Sequence, residues 1–250
     1  MNIVFNGSER PTLGVEIEVQ IVDETGALAT DTAATKILSK LDPAGFKHEL
    51  LECCIEMITD VCADTRAIRR DLSGKVEELI DVAEGEGYRI VCAGTHPFSS
   101  WTDQTVSPDP RYHRLIEDCQ WTARRLLIFG VHTHVGLGSG EEAIAVGNSL
   151  GTFIPHFLAL SSSSPFWMGR DTGLASTRSK IFESLPTAGL PYMMENWGQF
   201  QRFMRTLIGA GTVRSIREVW WDIRPHPSFG TLELRICDGI PTMDETCAMT

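Results

Sequence analysis

From Thr12 to Val22 the chain alternates without a break: Leu13, Val15, Ile17, Val19 and Ile21 fall on one side of an extended strand, and Gly14, Glu16, Glu18 and Gln20 on the other. Such a strand must cover its apolar side with a core. Its other side carries two carboxylates about 6.6 Å apart along the chain, which repel each other unless water or a cation lies between them. The chain is thereby committed to a sheet with one dry face and one acidic face. A turn follows at Asp23-Glu24-Thr25-Gly26.

Other segments repeat this pattern. Glu49 to Thr59 reads as a strand with Leu51, Cys53, Ile55 and Met57 on one side and Glu52, Cys54 and Glu56 on the other. Val131 to Leu137 places His132, His134 and Gly136 together, and Arg89 to Ala93 reads as a shorter strand. Val219 to Arg224, a turn around Pro225 to Gly230, and Thr231 to Cys237 predict a hairpin in which Glu233 and Arg235 oppose Leu232, Leu234 and Ile236. Helical spacing runs from the cap Asp64 through Ile68, Leu72, Val76 and Leu79 to Gly85, and again over Arg111 to Phe129 and Glu195 to Ile208. Glu141 to Leu160 predicts a helix kinked near Pro155, and residues 161–192 read as irregular. Strands interspersed with helices, without a regular βα repeat, predict an α+β fold on an antiparallel sheet. No repeat or linker divides residues 1–250, so one domain is expected.

Composition narrows the partners. With 22 Lys and Arg against 33 Asp and Glu the formal charge is −11. That argues against nucleic acid or an anionic membrane as partner, while metal-bound phosphates stay compatible. The apolar stretches are too short to span a bilayer. Seven cysteines, an odd number with no C-x-x-C, read as reduced thiols, and Met1 to Glu9 has no signal-peptide character, so a cytoplasmic location is expected.

Hard oxygen ligands on several strands suit Mg²⁺ or Mn²⁺ bridging nucleotide phosphates, which points to phosphoryl chemistry. Any single E-x-E strand is equally explained by an antiparallel sheet showing its polar face to water; the accumulation of Glu16, Glu18, Glu52, Glu56, Glu233, His134 and Arg235 on one face is what calls for more. His132 and His134 form an H-x-H pair, a spacing also used by zinc hydrolases, although no other histidine stands in a ligand frame. There is no Walker loop, no G-x-G-x-x-G after a strand and no G-x-S-x-G, so nucleotide binding requires another frame. Arg170, Arg178, Arg224 and Arg235 offer guanidinium forks for phosphate or carboxylate.

Several segments in this order, spread over nearly the whole chain, resemble one family. They are Leu13-Gly-Val-Glu-Ile-Glu18, Glu49 to Thr59, Gly94-Thr-His-Pro-Phe98, and Phe129-Gly-Val-His-Thr-His-Val-Gly136. To these are added Trp167-Met-Gly-Arg-Asp-Thr-Gly173 with Ser176 and Arg178, Trp221-Asp-Ile-Arg-Pro225, and Gly230-Thr-Leu-Glu-Leu-Arg-Ile-Cys-Asp238. The family is the type 2 glutamate-cysteine ligases, also described as carboxylate-amine ligases. The resemblance implies a glutamine-synthetase-like fold, a curved antiparallel sheet with helices packed on one face and ATP with two or three Mg²⁺ ions on the acidic face. It implies that Glu16, Glu18, Glu56 and Glu233 bind metal, with Glu49 as a further acidic ligand whose parity differs from that of Glu56 unless a bulge intervenes. His134 matches the site histidine and Arg235 an arginine near the ATP phosphates; Arg224 and His132 are further candidates for the nucleotide site, and Arg178 for a substrate carboxylate. Two departures stand out. Ile17 replaces the middle acid of a triple-acid motif, and the family continues with a helical C-terminal part where this chain has only a capping box, Thr242-Met-Asp-Glu245, and a helix start.

The expected activity is an ATP- and Mg²⁺-dependent ligase that joins an amino-acid carboxylate, glutamate by default, to an amine, cysteine by default, through an acyl phosphate. The expected partners are these small molecules and ATP, with no nucleic acid or membrane, and room for a homo-oligomer. Three rivals stand beside it: a guanidino-kinase-type phosphotransferase, a zinc hydrolase using His132 and His134, and a catalytically silent nucleotide-binding homologue.

Overall fold

A computed structural model describes residues 3–250. In chain order the elements are β1 (Thr12–Val22), α1 (Ala33–Leu38), β2 (Phe46–His48), β3 (Cys54–Ile58), α2 (Thr65–Gly85), β4 (Arg89–Val91), α3 (Pro110–Arg124), β5 (Val131–Gly136), α4 (Gly140–Gly151) and α5 (Ile154–Ser161). They continue with β6 (Phe166–Trp167), β7 (Arg170–Asp171), α6 (Thr177–Phe182), α7 (Trp197–Gly209), β8 (Ile223–His226), β9 (Thr231–Leu234) and α8 (Met243–Met249).

The main sheet runs β2-β3-β1-β5-β9-β8, with β4 paired to the end of β1, and every pairing is antiparallel. The alternating β1 sits in the middle, and its register sets the site. Glu18 lies opposite Glu56 on β3, and Glu16 opposite His132 on β5. Further along, His134 pairs with Glu233 on β9, and Glu233 with Arg224 on β8. Directly opposed residues point to the same side of a sheet, so these registers stack all of them on one face.

The other face is the core. Val15, Ile17, Val19 and Ile21 pack against Ala34 and Ile37 of α1 and Ile68, Leu72 and Leu79 of α2. Ile223, Leu232, Leu234 and Ile236 meet Ala143 of α4 and Ile154 of α5. Each such buried aliphatic side chain contributes roughly 1.5–3 kcal/mol, so the apolar half of the alternation anchors the acidic half. The α+β architecture with helices on one sheet face is as the sequence predicts.

Local readings differ in places. Glu49–Thr59 is not one strand: β3 covers only its second half, and Leu51–Cys53 form a bridge and a turn. The helix expected over Glu141–Leu160 is two, α4 and α5, bent by 65° ahead of Pro155, which sits in the first turn of α5 where its missing N–H costs nothing. The stretch 161–192 holds the β6–β7 hairpin and α6. Pro225 lies within β8 rather than in the turn, and β8 is an edge strand, where a residue without an N–H is tolerated. The last helix opens as its capping box predicts, Thr242 Oγ1 accepting from Glu245 N (3.3 Å) and donating to Glu245 Oε2 (2.6 Å). A helix of this length is marginal alone; Met243 and Met249 pack it on the core, and Arg69 pairs with Asp244 at 2.6 Å. Among the described residues no single helix is long and apolar enough to cross a membrane.

Candidate active site

A cavity of about 1380 Å³ opens over the acidic face. Glu16, Glu18, Glu49, Glu56 and Glu233 all line it, with His132, His134, Arg178, Arg224 and Arg235, whereas Glu52 and Arg170, also singled out in the sequence, do not. Glu16 lies between the two histidines: His132 Nδ1 is 3.3 Å from Glu16 Oε2, and His134 Nε2 is 3.3 Å from Glu16 Oε1. Burial opposes ionisation of Glu16, but the two imidazoles outweigh it and hold its carboxyl well below the ordinary range.

At the β8–β9 end the charges are balanced by the protein itself. Glu233, fully buried, accepts from Arg224 Nε (3.0 Å) and Nη2 (2.8 Å) on one oxygen and from Arg235 Nη1 on the other. Burial would raise its pKa, yet the two guanidinium groups depress it far below that of a free carboxylate. Arg224 Nη1 donates to the carbonyl of Val219 at 3.1 Å. With its donors on Glu233 and on main chain, Arg224 fixes Glu233 and the segment before β8; nothing in its contacts is left over for a nucleotide. His132 likewise spends its Nδ1 on Glu16, and burial pushes its pKa down to about 4, leaving a neutral ring.

At the β1–β3 end the balance fails. Glu18 accepts from the amide of Gly130, but burial and the neighbouring Glu49 push its pKa up to about 8. Glu56 is raised well above the carboxylate range by burial and then by Glu16, Glu49 and Glu18, and Glu49 is raised by burial. The parity problem of Glu49 dissolves without a bulge: Glu49 directly follows the separate strand β2, which pairs with β3 and brings it near Glu56. Glu52, grouped with Glu56 by alternation, is elsewhere. The Leu51–Cys53 turn sends it under α1, where it accepts from Thr35 N (2.9 Å) and Thr35 Oγ1 (2.6 Å). Cys54 lines the cavity, but burial and the adjacent Glu18 and Glu49 push its thiol far up, so it is no nucleophile.

Arg178 was expected to face a substrate carboxylate. It is 2% exposed and donates instead to the carbonyls of Ile236 (3.1 Å) and Arg235 (3.3 Å), lying over the Phe182 ring that also underlies Arg235. A Cβ on Gly130 would stand 2.2 Å from its Nη2, so the glycine before β5 is what lets the guanidinium through. Asp238, fully buried, holds this unit: it accepts from Ser164 Oγ (2.6 Å), Ser176 Oγ (2.8 Å) and Ser163 N (3.0 Å). Sequence reasoning missed Gly130, Asp238 and Phe182; Gly130 and Asp238 stand inside quoted motifs, and a glycine directly before an H-x-H strand was the available signal.

Two sets of donor atoms come within 4.8 Å of one another, Glu16–His134–Glu233 and Glu16–Glu56–His132. The histidines fall in different sets, each with carboxylates, which is unlike one zinc frame and fits hard divalent cations. His134 Nδ1 is hydrogen-bonded to Thr231 Oγ1 at 2.9 Å, which turns Nε2 toward Glu16 Oε1 inside the first of these sets.

The structure resembles a glutamate–cysteine ligase of Francisella tularensis solved in complex with AMP, with TM-score 0.67 and 14% identity over 94% of this chain and 62% of that one. It also resembles a bifunctional glutathione synthetase of Pasteurella multocida, with TM-score 0.63 and 16% identity over 95% of this chain and 36% of that one. Residues 12–250 match the sequence profile of glutamate-cysteine ligase family 2, and the chain belongs to that family. A protein of Frankia alni provisionally named glutamate–cysteine ligase 2-1 is 53% identical over the whole of this chain and 67% of its own length. One of Thermobifida fusca, provisionally named glutamate–cysteine ligase 2, is 50% identical over 98% of this chain and 63% of its own. The chain thus spans about two thirds of the length of the curated relatives it matches.

Proposed function

We propose that this chain carries the active site of an ATP- and Mg²⁺-dependent carboxylate–amine ligase, with Mn²⁺ able to replace Mg²⁺. The observation that carries the reading is the acidic face itself: three half-buried carboxylates, Glu18, Glu49 and Glu56, stand together with too little protein counter-charge, and each is pushed above the ordinary carboxylate range. Glu16, Glu56 and His132 would hold one divalent ion and Glu16, His134 and Glu233 another, with Glu18 and Glu49 flanking them. Bound there, such ions offset the charge of a triphosphate and align it for in-line transfer.

The chain's own residues do the rest. Arg235, held by Glu233, the Phe182 ring and the carbonyl clamp of Arg178, presents a fixed guanidinium to the transferring phosphoryl group. In the first step a carboxylate oxygen of the acid substrate attacks the γ-phosphorus and ADP leaves, giving an acyl phosphate. In the second the amine attacks the acyl carbon and phosphate leaves, giving an amide. Glutamate and cysteine are the substrates proposed, after the relatives' names. Seven free cysteines suit a reducing compartment, and we assign the protein to the cytoplasm.

The test is ADP release with glutamate and other amino acids, singly and paired with amines, followed by mass spectrometry of the product. With hydroxylamine as amine, one hydroxamate per ADP is expected. A stable phosphorylated guanidine without hydroxamate would move the protein to the phosphotransferases, and turnover without ATP would move it to the hydrolases.

A further inference from the structure

The cavity is wide for the chemistry proposed. At about 1380 Å³ it exceeds the volume of about 300–1,000 Å³ that encloses a single small ligand, so water has room beside the substrates. Two of its walls come from separate parts of the core. On one side Tyr112 and Ile116 of α3 pack with Leu127 and Phe129. On the other, the segment between α7 and β8 is seated through Val213 and Val219 against Phe200 and Met204 of α7.

A charge pair bridges these walls. Arg214 donates to Asp118 of α3 through Nη1 (2.5 Å) and Nη2 (3.3 Å), a two-pronged contact between residues 96 positions apart. Both residues line the cavity, and their side chains are 61% and 46% exposed, so the pair lies across the cavity mouth. Each post is fixed. Glu218 accepts from Arg214 N (2.8 Å) and has its other oxygen 3.6 Å from Arg214 Nη1, while Arg224, which holds Glu233, also donates to the carbonyls of Ile216 and Arg217 (both 3.4 Å). Across the mouth, Tyr112 ties α3 to β2 by donating to the carbonyl of His48 at 2.8 Å. The bar itself is weak, because an exposed ion pair biases an equilibrium by no more than about fivefold. Rigid posts joined by a weak bar let the mouth open and shut without unfolding either wall.

We propose that the Arg214–Asp118 pair is a gate across the mouth of the cavity: open, it admits substrates and releases products, and shut, it keeps water from the acyl phosphate. The gate rests on the ligase reading, and its failure has a defined chemistry. A water oxygen attacks the acyl carbon in place of the amine, phosphate leaves and the acid substrate is regenerated. One ATP is then converted to ADP and phosphate without an amide.

The experiment counts ADP and amide in the same reaction for wild type, Asp118→Asn, Arg214→Gln and the double variant. Wild type should give about one ADP per amide, and each single variant up to about fivefold more, with melting temperatures within about 2 °C because both side chains are exposed. The double variant should leak no more than either single one, since the same pair is broken in all three. Raising salt from about 0.05 to about 0.5 M should increase the ratio in wild type and leave it unchanged in Asp118→Asn, which has no pair left to screen. An unchanged ratio in both single variants overturns the gate. So does leakage that adds up in the double variant, or a wild-type ratio indifferent to salt, since the side chains would then act on their own walls rather than on each other. Wild type that releases no ADP with any acid and amine overturns the ligase reading, and the gate with it.

Discussion

The two ends of the acidic face carry the same kind of residue and behave in opposite ways. At the β8–β9 end Glu233 is buried but flanked by two guanidinium groups and held ionised. At the β1–β3 end Glu18, Glu49 and Glu56 are half-buried, flanked by one another, and pushed toward the neutral acid. The first end is complete as the chain folds; the second lacks its counter-charge, which the proposed divalent cations would supply. The most deeply buried of these carboxylates is the one held ionised, so the counter-charge and not the depth of burial decides.

The largest effect should come from breaking the complete end. Arg224→Met leaves Glu233 buried with one partner fewer, and removing one partner of a buried ion pair costs about 3–5 kcal/mol. Urea denaturation should show that loss, whereas Glu56→Gln, which removes a charge the fold does not neutralise, should leave the metal-free protein as stable or more so. Equal destabilisation by the two variants would erase the difference between the ends.

Next in size is Gly130→Ala. The added methyl displaces the Arg178 guanidinium from the carbonyls of Arg235 and Ile236, an overpacking that costs about 1–3 kcal/mol. Turnover should fall by more than the melting temperature accounts for, because Arg235 loses its clamp. Activity that tracks stability alone would mean that Arg178 has no part in aligning Arg235.

A subtler contrast lies in pH. Glu18 has a folded pKa of about 8 against 4.5 in the unfolded chain. Its contribution to stability is therefore full below 4.5 and lost as pH rises through about 8. Glu233, depressed when folded, contributes above the ordinary carboxylate pKa and loses that contribution as pH falls. The stability of wild type minus that of Glu18→Gln should accordingly fall as pH is raised from 5 to about 8, in metal-free buffer. A flat difference would show that Glu18 is ionised throughout.

Much of this site is legible in the sequence, and the reason is β1. A strict two-residue period over eleven residues fixes which side chains share a face, and the same parity in β5 and β9 assigns His132, His134 and Glu233 correctly. Parity misleads where an element is too short or ends too soon. The three residues of β2 show no period, so Glu49 looked displaced, and the Leu51–Cys53 turn carries Glu52 away although alternation groups it with Glu56. Pairings between distant elements leave no local trace at all. That Arg224 and Arg178 are bound to Glu233 and to carbonyls, and that Asp238 gathers serines from two segments, depends on contacts formed only after folding.

The most direct test is calorimetric titration of the wild-type protein with Mn²⁺ at pH 7, in two buffers of different ionisation enthalpy, which counts the protons released. If the β1–β3 end awaits cations, binding must displace protons from Glu18 and Glu56, and Glu56→Gln must bind more weakly and release fewer. Mn²⁺ binding without proton release, or binding as tight in Glu56→Gln as in wild type, would contradict the account.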